Sequence, residues 1–430
     1  MRHGVGHRDG LSAGDGKGLV LVGMICKHGL NEQMTWDLTD GPQYEFIVDA
    51  LVAQFLYKTC TMTLMKRRIP VVHARKNSCA STTDVNRLLT LWAGHIAIFT
   101  SMGNTRLKAG VLGAGHLGKI HLRLLEASEK YDLVGFYDPD TENSQKLANE
   151  HGYTYYENQD GLFAACDVID IVTPTTYHHE SAMAALHAGC HVFIEKPVTT
   201  TYQQAQEIIA LAQKSNLLGA VGQVERFNPA FQSVKDQIAN PMFIETHRLA
   251  QFNPRGTDVS VVLDLMIHDI DAVLSVVNSE VQSISASGVT VISQTPDIAN
   301  ARIEFKNGCV ANLTASRISL KNMRKARFFQ QDAYISVDFL DKKCEVVRMK
   351  DAPENPGDFD MILQNAEGVK KQIYFDNPDV PGANAIQDEL EDFADAIHNK
   401  SMPQVPLQDG AKALQVALEI ISQFKHVKLG

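Results

Sequence analysis

The stretch Ala109–His121, AGVLGAGHLGKIH, decides the fold. It opens as a short apolar strand, turns through Gly113, Gly115 and Gly118, and runs into a helical pattern. G-x-G-x-x-G between a strand and a helix has a physical reading. The first glycine takes the tight turn, the second lets a pyrophosphate approach the backbone, and the third lets helix and strand pack closely. The phosphates belong at the helix N-terminus, where free N–H groups and the helix dipole favour an anion. This sets Gly113, Gly115, His116, Leu117 and Gly118 against a dinucleotide. A second apolar strand lies in Leu133–Asp140, LVGFYDPD, and carries Asp138, 20 residues past Gly118. An acid there binds the adenosine ribose hydroxyls and repels a 2′-phosphate. No arginine follows it directly, so the expected cofactor is NAD, with NADP disfavoured.

Outward from this turn the chain is regular. The strand at 108–112 leads to a helix ending near Ser128, the strand at 133–137 to a helix at 143–151, and Tyr153–Tyr156 reads as a short third strand. Val168–Thr173 (VIDIVT) is a buried strand closing at Pro174, followed by a helix at 177–188 and a strand at 191–194. A helix at 201–215 and a strand at 218–222 complete the expectation of a six-stranded, doubly wound parallel α/β Rossmann sheet over residues 102–222. After Gly222 the pattern changes to strands separated by turns at 242–249, 281–289, 299–305, 310–315, 333–339 and 343–349, with late amphipathic helices at 386–398 and 410–424. Residues 223–430 are therefore expected to form a second, α+β domain around a mainly antiparallel sheet. Its open face is expected to find a second copy, in a homodimer or homotetramer.

Residues 1–101 fit neither half. Arg67–Arg68 is not followed by the apolar core of a twin-arginine signal, Leu88–Thr100 is only 13 residues long, and Gly14–Gly18 lacks P-loop spacing. A membrane helix needs about 20 apolar residues. The segment is net basic in a chain that is otherwise acidic, so Met102 is expected to be the natural start. The preceding residues then read as an upstream extension, disordered or poorly packed, with a transit segment the weaker alternative.

The 430 residues carry a net charge of −10, with 44% hydrophobic and 21% charged residues. That balance argues against nucleic acid and anionic membranes as partners. Seven cysteines at 26, 60, 79, 166, 190, 309 and 344 contain no C-x-x-C, which speaks against a disulfide framework and a zinc ribbon. No ligand cluster at metal spacing exists, and a reducing, cytoplasmic setting is expected.

Three further places carry chemistry. Glu195–Lys196–Pro197 follows a parallel strand at its carboxyl end, the edge where ligands bind in such sheets. A lysine there can hydrogen-bond a substrate hydroxyl, and its pKa falls if it is desolvated. The run Ser260–Val277 reads as one buried helix in which Asp264, His268, Asp271 and Ser275 form a narrow polar stripe. On an ideal helix Asp264 and His268 stand about 40° apart and can touch one ligand. The pair reads either as a satisfied core histidine or as proton-transfer machinery near neutral pH; Asp269 falls off the stripe. Polar and cationic residues then scatter through the second half, with Arg226, Asn228, Arg248, Arg255 and Arg317 as candidates for a carboxylate or phosphate of the substrate. Thr173, Pro174, His178 and Glu195 lie at the cofactor edge.

These residues together resemble the Gfo/Idh/MocA oxidoreductase family, from about residue 106 to the C-terminus. The resemblance rests on GAGHLG (113–118), Asp138, TPTTYH (173–178), EKP (195–197) and the D-x-x-x-H pair of Asp264 and His268. It implies NAD(P)-dependent oxidation or reduction of a sugar or cyclitol hydroxyl. The family's catalytic lysine falls on Lys196, and its Asp/His pair falls on Asp264 and His268. The run VERFNPA (224–230) resembles the branch acting on nucleotide-linked amino sugars. The alternatives are a dehydrogenase of free sugars or inositol, and a non-catalytic NAD-binding regulatory protein.

Overall fold

In the computed structural model the described residues are 106–254, 259–357 and 359–424. The 1–101 segment, and with it three of the seven cysteines, lies outside them, as does Arg255. The described residues belong to one compact unit.

The first half is a parallel sheet with the order β2-β1-β3-β4-β5. Its strands are β1 (Leu107–Leu112), β2 (Tyr131–Tyr137), β3 (Val168–Ile171), β4 (His191–Glu195) and β5 (Gly219–Gly222). β3 and β5 are buried at every position, as strands covered on both faces must be. The intervening helices are α1 (His116–Ala127), α2 (Thr141–His151), α3 (Gln159–Ala165), α4 (Thr175–His187) and α5 (Tyr202–Ser215). Local chemistry starts and stops them. Asp140 accepts from the Asn143 amide at 3.1 Å to cap α2, which ends on Gly152 at φ 77°. Thr201 caps α5 in the same way, through the amide of Gln204.

The sheet has five strands, not the six read from the sequence. Tyr153–Tyr156 adds no full strand, because Tyr155 bridges only Phe136. Two backbone bonds, Phe136 N to Thr154 O at 3.0 Å and Tyr156 N to Phe136 O at 2.9 Å, hold it beside β2.

The second half is a nine-stranded sheet, ordered β13-β14-β12-β11-β10-β6-β9-β8-β7. Its strands are β6 (Phe243–Leu249), β7 (Val281–Val289), β8 (Ile298–Phe305), β9 (Val310–Ser316), β10 (Met323–Phe329), β11 (Ala333–Asp338), β12 (Lys343–Asp351), β13 (Met361–Gln364) and β14 (Lys370–Phe375). Every neighbouring pair is antiparallel except β6 and β9. Burial alternates along the strands, as in β11, where Ala333, Ile335 and Val337 face the core. The covered face packs against the helical segment 262–276 and α9 (Leu407–Ser422), while the short α6 (Pro229–Gln232) lies against β11 and β12.

Segments beyond 222/223 also pack into the cores of the first half. Leu390, Phe393 and Ala394 of α8 (Ala385–Asn399) join the core beneath α1 and β1. Val405, Leu407, Ala411 and Leu414 join the core of β3, β4 and β5. The chain thus returns to its first half before it ends.

Candidate active site

The glycine turn is shaped as its spacing requires. Gly113 sits at φ +96°, with the site of an added Cβ only 2.8 Å from the Val172 carbonyl oxygen. At Gly118 an added Cβ would lie 2.0 Å from the carbonyl oxygen of Gly113, so only glycine lets α1 approach β1 this closely. Gly115 is the N-cap of α1, makes no side-chain cap, and looks onto open space. No acid occupies the first turn of α1. Uncapped N–H groups, a half-charge of positive sign and room in front of them suit a diphosphate.

Asp138 follows β2 directly, with its carboxylate folded over this turn. Oδ2 accepts from the Ala114 amide at 2.7 Å and Oδ1 from the Asp140 amide at 2.9 Å. The acid therefore shapes the turn at the expected ribose position. Thr173 Oγ1 and both amide atoms of Gln223 are buried at the carboxyl edge without a hydrogen-bond partner among the described residues. Buried polar groups left unpaired are costly, and these fit a polar ligand at that edge.

Glu195–Lys196–Pro197 leaves β4 at the same edge, and the Lys196–Pro197 bond is cis. Lys196 Nζ donates to the Asp264 carbonyl oxygen at 2.9 Å and lies 3.7 Å from the Asp264 carboxylate. The contact joins the two halves of the protein at the ligand edge. Asp264 does not sit on a regular helix. Val262–Met266 is a π-helical turn running into α7 (Ile267–Val276), a local widening of the kind often found at functional sites. The 40° spacing of Asp264 and His268 on an ideal helix is replaced by this wider turn, which presents both the carbonyl and the carboxylate of Asp264 to Lys196.

His268 begins α7 half-buried, with Nδ1 buried and unpartnered among the described residues. Burial, then the positive charges of Lys196, Arg248 and Arg324, push its imidazole well below the ordinary 6.5. The remaining members of the expected polar stripe do other work. Asp271 is 3.0 Å from Arg226 Nε, and Ser275 Oγ donates to the Ala272 carbonyl.

The arginines are where the structure corrects the sequence reading most. Arg226 is buried between Asp271 and Asp409, with which it shares a short contact. Arg248 is 3% exposed and bridges Glu225 at 2.8 Å and Asp269 at 2.8 Å. Arg317 is buried beside Asp297, donating to the Val259 carbonyl. Asn228 is committed as well, donating to Glu225 and to the Phe339 carbonyl. None of these four is free to meet a substrate anion: carboxylates of the second half already neutralise the three guanidinium groups, and the Asn228 amide is spent on Glu225 and Phe339. Arg324 was missed by the sequence reading, although it lies opposite Arg248 and its side chain is 50% exposed.

Two edge residues also turn inward. His178 is 1% exposed, and its ring nitrogens lie 2.9 Å from the Pro197 carbonyl and 2.8 Å from that of Thr173. Burial lowers its pKa, and the neutral ring, with one N–H, can donate to only one of these two carbonyls at a time. Glu195 points beneath the edge, where Oε1 is 3.3 Å from His121 Nε2 and Oε2 accepts from the Lys196 amide at 3.1 Å. His121 Nδ1 lies 2.8 Å from Asp170. Burial opposes charge on His121, but the two carboxylates outweigh it and hold the imidazole well above its ordinary pKa.

A glycine turn at an open helix end, an acid closing the second strand, and a lysine at the carboxyl edge define a dinucleotide-binding protein with a second domain over its cofactor edge. Family models make this particular. Residues 107–223 match the oxidoreductase family NAD-binding Rossmann fold, and residues 202–336 match the Gfo/Idh/MocA C-terminal domain. The chain belongs to the Gfo/Idh/MocA oxidoreductases, and NAD is its cofactor.

Among its relatives, UDP-N-acetylglucosamine 3-dehydrogenase of Acidithiobacillus ferrooxidans is 36% identical over 292 residues, covering 68% of this chain and 88% of the relative. The solved structure of that enzyme superposes with a TM-score of 0.67 at 32% identity, covering 74% of this chain and 98% of the other. The scyllo-inositol 2-dehydrogenase (NAD(+)) of Bacillus subtilis is 26% identical, over 50% of this chain and 68% of that one. Among the described residues no helix is long and apolar enough to cross a membrane.

Proposed function

We propose that this protein oxidises a hydroxyl of a nucleotide-linked amino sugar, with a UDP-N-acetylhexosamine as the substrate class, in a reducing cytoplasmic setting and as a homo-oligomer. The observation that carries the chemistry is the contact of Lys196 with Asp264 beside the half-buried His268, whose pKa burial lowers. The substrate class is supported by the relative at 36% identity and by VERFNPA, the run whose resemblance pointed the same way.

His268 is the base. Held neutral by burial and by three cations, it takes the hydroxyl proton as the C–H bond breaks. Lys196 keeps its ammonium oriented through the Asp264 carbonyl and steadies the developing alkoxide. Asp264 holds Lys196 in place and is itself accessible to a neighbouring sugar hydroxyl, its side chain being 43% exposed. When bound, NAD would supply the hydride acceptor. Gly113, Gly115, His116, Leu117 and Gly118 would cradle its diphosphate, and Asp138 would face its ribose. His178 and Glu195 fix the loop that carries Lys196 and act by positioning.

The test is NADH formation by the full chain over UDP-sugars, free hexoses and inositols. Turnover of UDP-N-acetylglucosamine that falls about 10²–10⁴-fold in Lys196→Ala and in His268→Ala is the expected result. Turnover of inositols or free sugars alone would replace the substrate class. Tight NAD binding without turnover of any member would replace the catalytic reading with a regulatory one.

A further inference from the structure

The chain carries a net charge of −10, yet three cations lie near enough to His268 to disfavour its charged form. Lys196, Arg248 and Arg324 converge there, and they differ in what they have left to offer. Arg248 is fully engaged by Glu225 and Asp269. Lys196 is held by Asp264. Among the described residues Arg324 has one long ion-pair contact, 3.8 Å to a Glu225 oxygen that already accepts from Arg248 at 2.8 Å, and half of its side chain is exposed.

Its direction follows from the strand. In β10 Ala326 and Phe328 are buried on the covered face of the sheet, and Arg324 shares their parity. The register sets it opposite Arg248 on β6. Arg248 in turn bonds Asp269, the residue after His268. Arg324 is thus a guanidinium on the same face as the candidate base, at the rim of a buried ion-pair network whose carboxylates are spent on other cations. Lys325 and Arg327, of opposite parity, pair with Asp338 and Glu245.

We propose that Arg324 is the substrate-recognition residue of this site, donating a pair of hydrogen bonds to the diphosphate of the nucleotide sugar while His268 and Lys196 address the hydroxyl. This rests on the nucleotide-sugar reading above. A guanidinium suits the task because its planar fork matches two phosphate oxygens at once. Arg226, Arg248 and Arg317 are the three arginines that the structure removes from that role. Binding an anion beside Arg324 also offsets part of the positive field on His268, coupling substrate charge to the readiness of the base.

Steady-state kinetics of the full chain with NAD on UDP-N-acetylglucosamine, N-acetylglucosamine 1-phosphate, glucuronate and free N-acetylglucosamine test this, using Arg324→Gln and Arg324→Lys. The expected result is a KM for UDP-N-acetylglucosamine raised about 10–100-fold in Arg324→Gln, with Arg324→Lys recovering part of the loss. The KM for NAD stays at the wild-type value, and the acid limb of kcat/KM moves to higher pH as a cation leaves His268. Binding of UDP to the NADH-loaded enzyme weakens in step. An unchanged KM and UDP affinity in Arg324→Gln, with wild type turning over UDP-N-acetylglucosamine, overturns the assignment of Arg324 alone. Wild-type turnover confined to neutral sugars overturns the nucleotide-sugar reading and Arg324 with it. A preference for glucuronate that Arg324→Gln abolishes would replace the diphosphate with a sugar carboxylate as the anion.

Discussion

Burial first, and nearby cations second, set the pH at which His268, the proposed base, can accept a proton. Desolvation and the charges of Lys196, Arg248 and Arg324 all disfavour imidazolium. A base with a lowered pKa stays neutral to lower pH, so the acid limb of kcat/KM is expected below pH 6.5. A limb above 6.5 would contradict this placement. Below the site, Glu389 shows the opposite perturbation. Both of its oxygens are buried and unpartnered among the described residues, and desolvation, reinforced by Glu195, Asp170 and Glu225, raises its pKa well above 4.5. A carboxyl of this kind favours the fold while protonated, and that contribution drains away as pH rises from its unfolded value. Glu389→Gln removes the ionisation, so the melting temperature of the variant should gain on wild type steadily from pH 5 towards pH 8. A difference independent of pH would mean that Glu389 is already ionised. His121 is the counterpart: bracketed by Asp170 and Glu195, it should cost about 3–5 kcal/mol when replaced by leucine, because two buried acids lose their shared cation. Urea unfolding of His121→Leu at pH 7 measures that cost.

Single elements show which parts of this arrangement are legible in sequence. The β1-turn-α1 unit was readable in full, because each glycine answers a local steric demand visible in the spacing. Gly118→Ala would drive a methyl group into the Gly113 carbonyl oxygen, so NAD affinity should fall by at least about tenfold, seen in NADH fluorescence titration, with β1 and α1 forced apart. The place of EKP at the carboxyl edge was legible too, whereas the contact of Lys196 with the Asp264 carbonyl lies on a π turn that no spacing rule announces. β10 was not read as a strand, and its sequence MRKARFF shows why. Three cations in four residues mask an alternation in which Ala326 and Phe328 face the core while Arg324 shares their side at the rim. Parity along that run was the one signal that could have found Arg324. The roles of Arg226, Arg248 and Arg317 were illegible because their partners, Asp271 and Asp409, Asp269 and Glu225, and Asp297, arrive from distant or off-pattern positions. Arginine composition records charge, and only the fold reveals whether that charge is already met.

At the scale of the whole molecule, the last helix makes the two halves one cooperative body. α9 buries Leu407, Ala411 and Leu414 in the core of the parallel sheet, and Ala413, Val416, Ala417 and Ile420 in the core of the nine-stranded sheet. Its first turn also carries Asp409, which meets the buried Arg226 beside Asp271 of α7. A helix with two buried faces transmits the loss of either core to the other, because it cannot stay folded when one of them opens. Leu414→Ala and Ile420→Ala remove fully buried side chains that face different cores, so each should cost about 2–5 kcal/mol. Both substitutions should lower a single shared unfolding transition. Hydrogen exchange distinguishes this from two independent domains. Leu414→Ala should speed exchange in β7, β8 and β9 as much as in β3, β4 and β5, and Ile420→Ala should do the reverse equally. Protection lost in one sheet alone would show that the halves unfold separately. In that event the Lys196–Asp264 contact would have to hold the active site together across a mobile junction, and its 2.9 Å hydrogen bond could not by itself fix His268 over the cofactor edge.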